Sequence, residues 1–130
     1  MKIKAFFACT GVQKVTQGQW NITTAAMDRL DLRAPLKGGL NAELPFFFVI
    51  QREPNETEGP HKAVVKIFVD DEQPKRQEFD LTFNKGEIAC ATGTAHFKIV
   101  GSMNCRFELS LPGTSELMDW PLQILATGGA

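Results

Sequence analysis

The sequence predicts an all-β fold in one domain spanning residues 1–130: two packed antiparallel sheets made from seven to eight strands. Three observations predict it. Apolar and polar residues alternate over several short runs, turn residues separate those runs, and no ten-residue stretch carries helical periodicity. The alternation is clearest near the C-terminus. There Ala95, Phe97 and Ile99 interleave with His96 and Lys98, while Cys105, Phe107, Leu109 and Leu111 interleave with Asn104, Arg106, Glu108 and Ser110. Trp120, Leu122 and Ile124 then enclose Pro121 and Gln123. A period of two sends side chains to opposite faces, which is how a strand with one buried face is written. Gly101-Ser102-Met103 and Pro112-Gly113 punctuate these runs, so an antiparallel meander is expected.

Earlier elements follow the same logic. Ile3 to Thr10 reads as a strand with Ile3, Ala5, Phe7 and Cys9 on one face, ended by Gly11. The polar stretch to Gln19, with Gly18, reads as a turn. Trp20 to Met27 reads as the second strand, its Trp20, Ile22, Thr24 and Ala26 sharing a face; β-branched residues there suit a pleated surface. From Asp28 to Leu44 the pattern weakens. Leu30 and Leu32 alternate with Arg29, Asp31 and Arg33 as a continuation or a short edge strand, and Ala34 to Gly39 reads as a long crossover between sheets. Pro45 opens Phe46-Phe47-Phe48-Val49-Ile50-Gln51-Arg52, apolar on both faces, which implies a covered central strand or an exposed hydrophobic stripe.

Glu53 to Pro60 is a polar loop. Lys62 to Asp70 places Ala63, Val65, Ile67 and Val69 on one face, and a turn through Asp71-Glu72-Gln73-Pro74 leads to Gln77–Phe83 with Phe79, Leu81 and Phe83 inward. Asn84-Lys85-Gly86 is a hairpin signal. Beyond it Ile88, Cys90 and Thr92 are in even phase and Ala95, Phe97 and Ile99 in odd phase, so Gly93 is expected to mark a bulge or a break. Two antiparallel sheets of this strand number predict an immunoglobulin-like sandwich. No tyrosine corner and no Cys-Trp-Cys pin is present, so an antibody-type domain is excluded.

Composition bounds the function. Of the residues 43% are hydrophobic and 22% charged, ordinary for a folded domain. Ten Phe and no Tyr suit a dry core better than a hydrogen-bonding surface. A net charge of −1 removes the electrostatic case for nucleic acid or an anionic membrane as partner. Cys9, Cys90 and Cys105 lie in strand-like runs and are odd in number, so they read as small buried hydrophobes in a reducing cytoplasm. The N-terminal residues lack the apolar stretch of a secretion signal, and the longest strongly apolar run, Phe46 to Ile50, is too short to span a bilayer. A cytoplasmic protein is the expectation.

The layout resembles a family of small bacterial β-sandwich proteins of unknown function. The stretches that carry the resemblance are the strands Lys2–Thr10 and Trp20–Leu32, the loop Glu58-Gly59-Pro60-His61 before Lys62–Asp70, and the closing pair Asn104–Leu111 and Trp120–Leu125. The resemblance implies a bacterial or phage-derived cytoplasmic origin and a role in protein contacts. It brings no catalytic residues.

Reactive constellations are expected to be absent. Hydrolytic triads need a base held beside a nucleophile, yet His61, His96, Ser102, Ser110 and Ser115 lie on outward faces or in turns, without a nucleophile elbow. No Cys-x-x-Cys or close Cys/His pair suggests zinc. Asp28, Asp31, Asp70, Asp71 and Glu72 leave open an alternative, a loop-based small-ligand or calcium site. The two N-x-Thr matches at Asn21 and Asn55 are chance without secretion. What remains is apolar surface: if their strands neighbour each other, Phe47, Val49, Val64 and Phe68 form one outer patch, which is either covered by the crossover over residues 34–44 or open as a subunit or partner interface. Burying those four side chains is worth on the order of 6–10 kcal/mol of transfer energy before association costs. The expectation is a non-enzymatic protein-interaction or structural module without a cofactor, self-associating as a homodimer or docking a protein partner. On this reading Phe47→Glu separates the copies without unfolding them.

Overall fold

Residues 1–14, 19–32, 39–83 and 86–126 are described by the structure, a computed structural model. The turn at Gly18, most of the predicted crossover (33–38) and Asn84-Lys85 lie outside the described residues. Among the described residues there are strands and no helix: β1 (Lys2–Ala8), β2 (Gly11–Lys14), β3 (Trp20–Thr23), β4 (Arg29–Leu32), β5 (Leu40–Gln51), β6 (His61–Val69), β7 (Lys75–Leu81), β8 (Ile88–Ile99), β9 (Met103–Ser110) and β10 (Leu117–Ala126). They form a three-stranded sheet in the order β1-β5-β8, a five-stranded sheet in the order β4-β10-β9-β6-β7, and a separate β2-β3 hairpin. Neighbours are antiparallel except β4, which runs parallel to β10 over Arg29–Leu32. More strands form than the seven to eight expected, because the stretch before Pro45 contributes several short ones.

The two larger sheets enclose one core. Phe46, Phe48 and Ile50 face inward from β5 and meet Val65, Ile67, Phe107, Leu109, Leu122 and Ile124 from the opposite sheet. Phe46 is central: its ring lies 6.3 Å from Phe6, 5.9 Å from Phe79 and 6.0 Å from Phe107, in edge-on or tilted geometries that suit aromatic quadrupoles. The alternations read from β6, β7, β9 and β10 all hold, with Ala63, Val65, Ile67, Val69, Leu81, Phe83, Cys105, Phe107, Leu109, Leu111, Leu122 and Ile124 buried.

Four local expectations are corrected. The C-terminal runs are not a three-strand meander: β9 pairs β10, but β8 belongs to the other sheet, so Gly101-Ser102 carries the chain across the sandwich. Gly93 is neither a bulge nor a break. β8 pairs β5 continuously from Ile88 to Ile99, and its inward row is Ala89, Ala91, Gly93, Ala95, Phe97 and Ile99. Those small residues face the Phe46, Phe48 and Phe79 rings; a Cβ on Gly93 would sit 2.4 Å from Phe46 Cζ and 2.7 Å from Phe79 Cζ. The row that begins with small residues is thus the core row, because its volume is supplied from across the gap.

In β1 a register shift between Ile3 and Ala5 turns Phe6 and Ala8 inward and sends Ala5 and Phe7 to the outer face. The strand predicted through Met27 stops at Thr23, since Thr24 (φ 50°) and Ala26 (φ 57°) take left-handed conformations incompatible with extended chain.

One residue explains why β1 ends where it does. The Cys9 N–H donates to Pro45 O (3.0 Å), but Pro45 has no N–H to return, so the reciprocal bonds to β5 stop there; on the opposite edge Thr10 N–H donates to Thr23 O (3.0 Å). The chain therefore leaves the three-stranded sheet and becomes the β2-β3 hairpin. Both lateral seams of the sandwich are stitched by polar bonds. On one side Gln77 Nε2 donates to Thr94 O (2.8 Å) and Lys75 Nζ to His96 O (2.6 Å). On the other, Ile3 N–H donates to Glu116 Oε1 (2.9 Å), Met27 N–H to Ala8 O (2.8 Å) and Trp120 Nε1–H to Met27 O (2.8 Å).

Candidate functional site

The three-stranded sheet has an apolar outer face. β1 brings Ala5 and Phe7, β5 brings Phe47 and Val49, and β8 brings Ile88, Cys90 and Thr92. Register sets Phe7 beside Phe47 and Phe47 beside Thr92, Ala5 beside Val49 and Val49 beside Cys90. Farther along the same face the pairs are Glu43 with His96 and Asn41 with Lys98, so the stripe is apolar at one end and charged at the other. The β2-β3 hairpin covers part of it. Trp20 stacks edge-on over Phe47 with centroids 5.3 Å apart, Phe7 lies 5.8 Å from Phe47, and Lys14 Nζ caps the Trp20 ring at 5.9 Å. The cover leaves Phe47 5% exposed, whereas Ile88 is 50% exposed and Val49 and Cys90 are half-buried. A groove of about 420 Å³ runs beside the start of β8, lined by Lys14, Trp20, Thr82, Phe83, Ile88 and Cys90.

The four residues read as one patch are not brought together. Phe47 and Val49 are on the three-stranded sheet, while Val64 and Phe68 are on β6 in the five-stranded sheet, which pairs only with β7 and β9. On that second outer face Val64 is buried between its register partners Glu78 and Ser110, and Phe68 lies 4.1 Å beneath the Arg106 guanidinium. Arg106 also pairs with Glu108 (3.1 Å) and Asp119 (3.3 Å), Lys62 with Asp80, and Arg76 with Glu78 (2.8 Å). This surface is neutralised within the chain.

The sequence missed the cover: Trp20 was legible as a strand residue, but its partner Phe47 is twenty-seven positions away on another element. Phe47 is buried beneath Trp20, so Phe47→Glu would put a charge into an apolar contact and test folding together with association; Val49 and Ile88 are the residues to alter.

The remaining reactive groups are dispersed. Burial pushes the thiols of Cys9 and Cys90 up, and it pushes Cys105 up to about 11, helped by the nearby negative charges of Asp70 and Glu72. All three are free thiols, with Cys9 and Cys105 buried. Among the described residues no group of three His, Cys, Asp or Glu side chains is placed to hold a metal ion. The acidic residues are used locally: Asp70 Oδ1 accepts from Asn104 N–H (2.9 Å), Asp31 pairs with Arg29 (3.0 Å), and β10 and β9 separate the two groups. His61 Nε2 lies 2.8 Å from Thr57 O, and His96 Nδ1 lies 3.7 Å from Glu43 Oε1. Among the described residues no helix is long and apolar enough to cross a membrane. Comparison with protein-family models, curated proteins and solved structures finds no match to the chain.

Proposed function

We propose that this chain is a non-catalytic protein-interaction module of immunoglobulin-like connectivity, and that it self-associates through the outer face of its three-stranded sheet. The strand order supports the connectivity. β1, β5 and β8 stand where such sandwiches put their first, second and fifth strands, A, B and E; β6, β9 and β10 stand as C, F and G, with β7 as an added C′ edge.

One observation carries the functional reading: the apolar stripe of Val49, Cys90 and Ile88 continues past the Trp20 cover into solvent, while the opposite outer face is paired off in charges. An aromatic platform with a partly open apolar margin is what desolvated contacts between proteins use. Light scattering across the micromolar range is the test. A defined dimer is expected, and Val49→Glu should return it to monomers with its thermal midpoint largely kept. A wild type that stays monomeric at every concentration removes self-association.

A further inference from the structure

We infer that the first half of the β8 edge, Ile88 to Thr92, is a strand-addition site for a second copy of this chain, pairing antiparallel about a two-fold axis at Cys90. The inference deepens the self-association reading and rests on it. β8 is the outermost strand of its sheet. Its backbone parity follows from two bonds: the carbonyls of Thr94 and His96 accept from Gln77 and Lys75, across the seam and away from β5. Alternate residues of a strand point their N–H and C=O the same way, so Ile88, Cys90 and Thr92 also aim theirs outward. At Thr94 and His96 those acceptors are occupied. At Ile88, Cys90 and Thr92 none is bonded among the described residues.

The other edges are protected in the usual manner. β7 carries Lys75, Arg76, Glu78 and Asp80; β4 is four residues long with a charged Arg29–Asp31 pair; β1 carries Lys2 and Lys4, and its Ile3 N–H and Ala8 O are bonded within the chain. Ile88-Ala89-Cys90-Ala91-Thr92 has no charge and no proline, and among the described residues no side chain bonds its outward backbone groups. Extended backbone is the one partner that matches such an edge, and the edge suits itself. Antiparallel pairing about Cys90 sets Ile88 opposite Thr92 and Ala89 opposite Ala91, with no like charges facing each other. The small inward residues leave room on the Phe83 side of the groove, and Ile88 of each copy extends the apolar outer stripe across the seam.

The geometry offers a direct readout. Hydrogen-bonded residues facing each other in an antiparallel pair have Cα atoms about 5.5 Å apart, close enough for a short bismaleimide to bridge their thiols. The intact chain is treated with bismaleimidoethane; each thiol sulfur adds across one maleimide C=C and its proton goes to the neighbouring ring carbon, so the bridge forms with no leaving group and no change of oxidation state. A covalent dimer lost in Cys90→Ser is expected. Ile88→Pro, which removes an outward N–H at the first residue of the strand, should raise the dimer dissociation constant about tenfold. Ile88→Thr, which keeps the N–H, should raise it much less. A dimer that shows no Cys90 cross-link, or that weakens equally in Ile88→Pro and Ile88→Thr, overturns edge pairing while leaving association through the sheet face intact. A monomeric wild type overturns both. Should Ile88→Pro fail to fold, hydrogen exchange decides: edge pairing slows the Ile88, Cys90 and Thr92 amides in the dimer, and unprotected amides there overturn it.

Discussion

The two outer faces of this sandwich solve the same problem in opposite ways. Each sheet carries apolar residues on its solvent side: Phe7, Phe47 and Val49 on the three-stranded sheet, Val64 and Phe68 on the five-stranded one. The five-stranded face hides them under its own charged neighbours, with the Arg106 guanidinium spread over Phe68 and held there by Glu108 and Asp119. Long charged side chains cover apolar surface while keeping their heads in water, so the face is finished with nothing added. The three-stranded face has almost no such side chains near Phe47. It borrows an extra element, the β2-β3 hairpin, and the loan covers only one end. A two-stranded hairpin is marginal alone, so it relies on packing against this face, the Trp20–Phe47 contact included.

The largest expected effect breaks this contrast directly. Phe47→Ala removes a ring gripped by Phe7 and Trp20 and should cost about 3–4 kcal/mol in urea denaturation, while Phe68→Ala, beneath a solvated guanidinium, should cost about 1 kcal/mol. Equal losses would mean that both faces are core. A smaller effect comes from the thiols. Unfolded Cys105 ionises near its ordinary 9.0, whereas the folded protein holds the proton up to about 11. The folded state then binds more protons between those values, so stability is full below pH 9.0 and falls as pH rises toward 11, by up to about 2 kcal/mol. Cys105→Ala should flatten that decline in melts across the interval. Smallest is Lys62→Ala on the charge-paired face: its pair with Asp80 is exposed, so the urea midpoint should barely move at low salt and not at all in high salt.

Where local alternation alone decides the face, the sequence was legible. β6, β7, β9 and β10 each bury one row of large residues, and that row is visible in the chain. β8 misled because its core row begins Ala89, Ala91, Gly93 while Ile88 and Cys90 look more apolar; only the Phe rings across the gap reveal which row is inside. The proposed patch was half right in kind. Phe47 and Val49 do face outward, but a patch with Val64 and Phe68 required their strands to be neighbours, and residues 52–60 carry the chain to the other sheet. The parallel β4-β10 pair and the hairpin cover join distant residues, so no local pattern announces them.

Pro45 gives the molecule a branch point written in one side chain. Because its nitrogen is alkylated, the neighbouring strand runs out of reciprocal bonds at Cys9, and the chain turns off there into the pairing with Thr23. A residue with a free amide at position 45 would reopen the original track, and the first strand could then extend alongside Leu44 at the expense of the arm. The shielding of the aromatic platform is thereby tied to the absence of a single hydrogen atom.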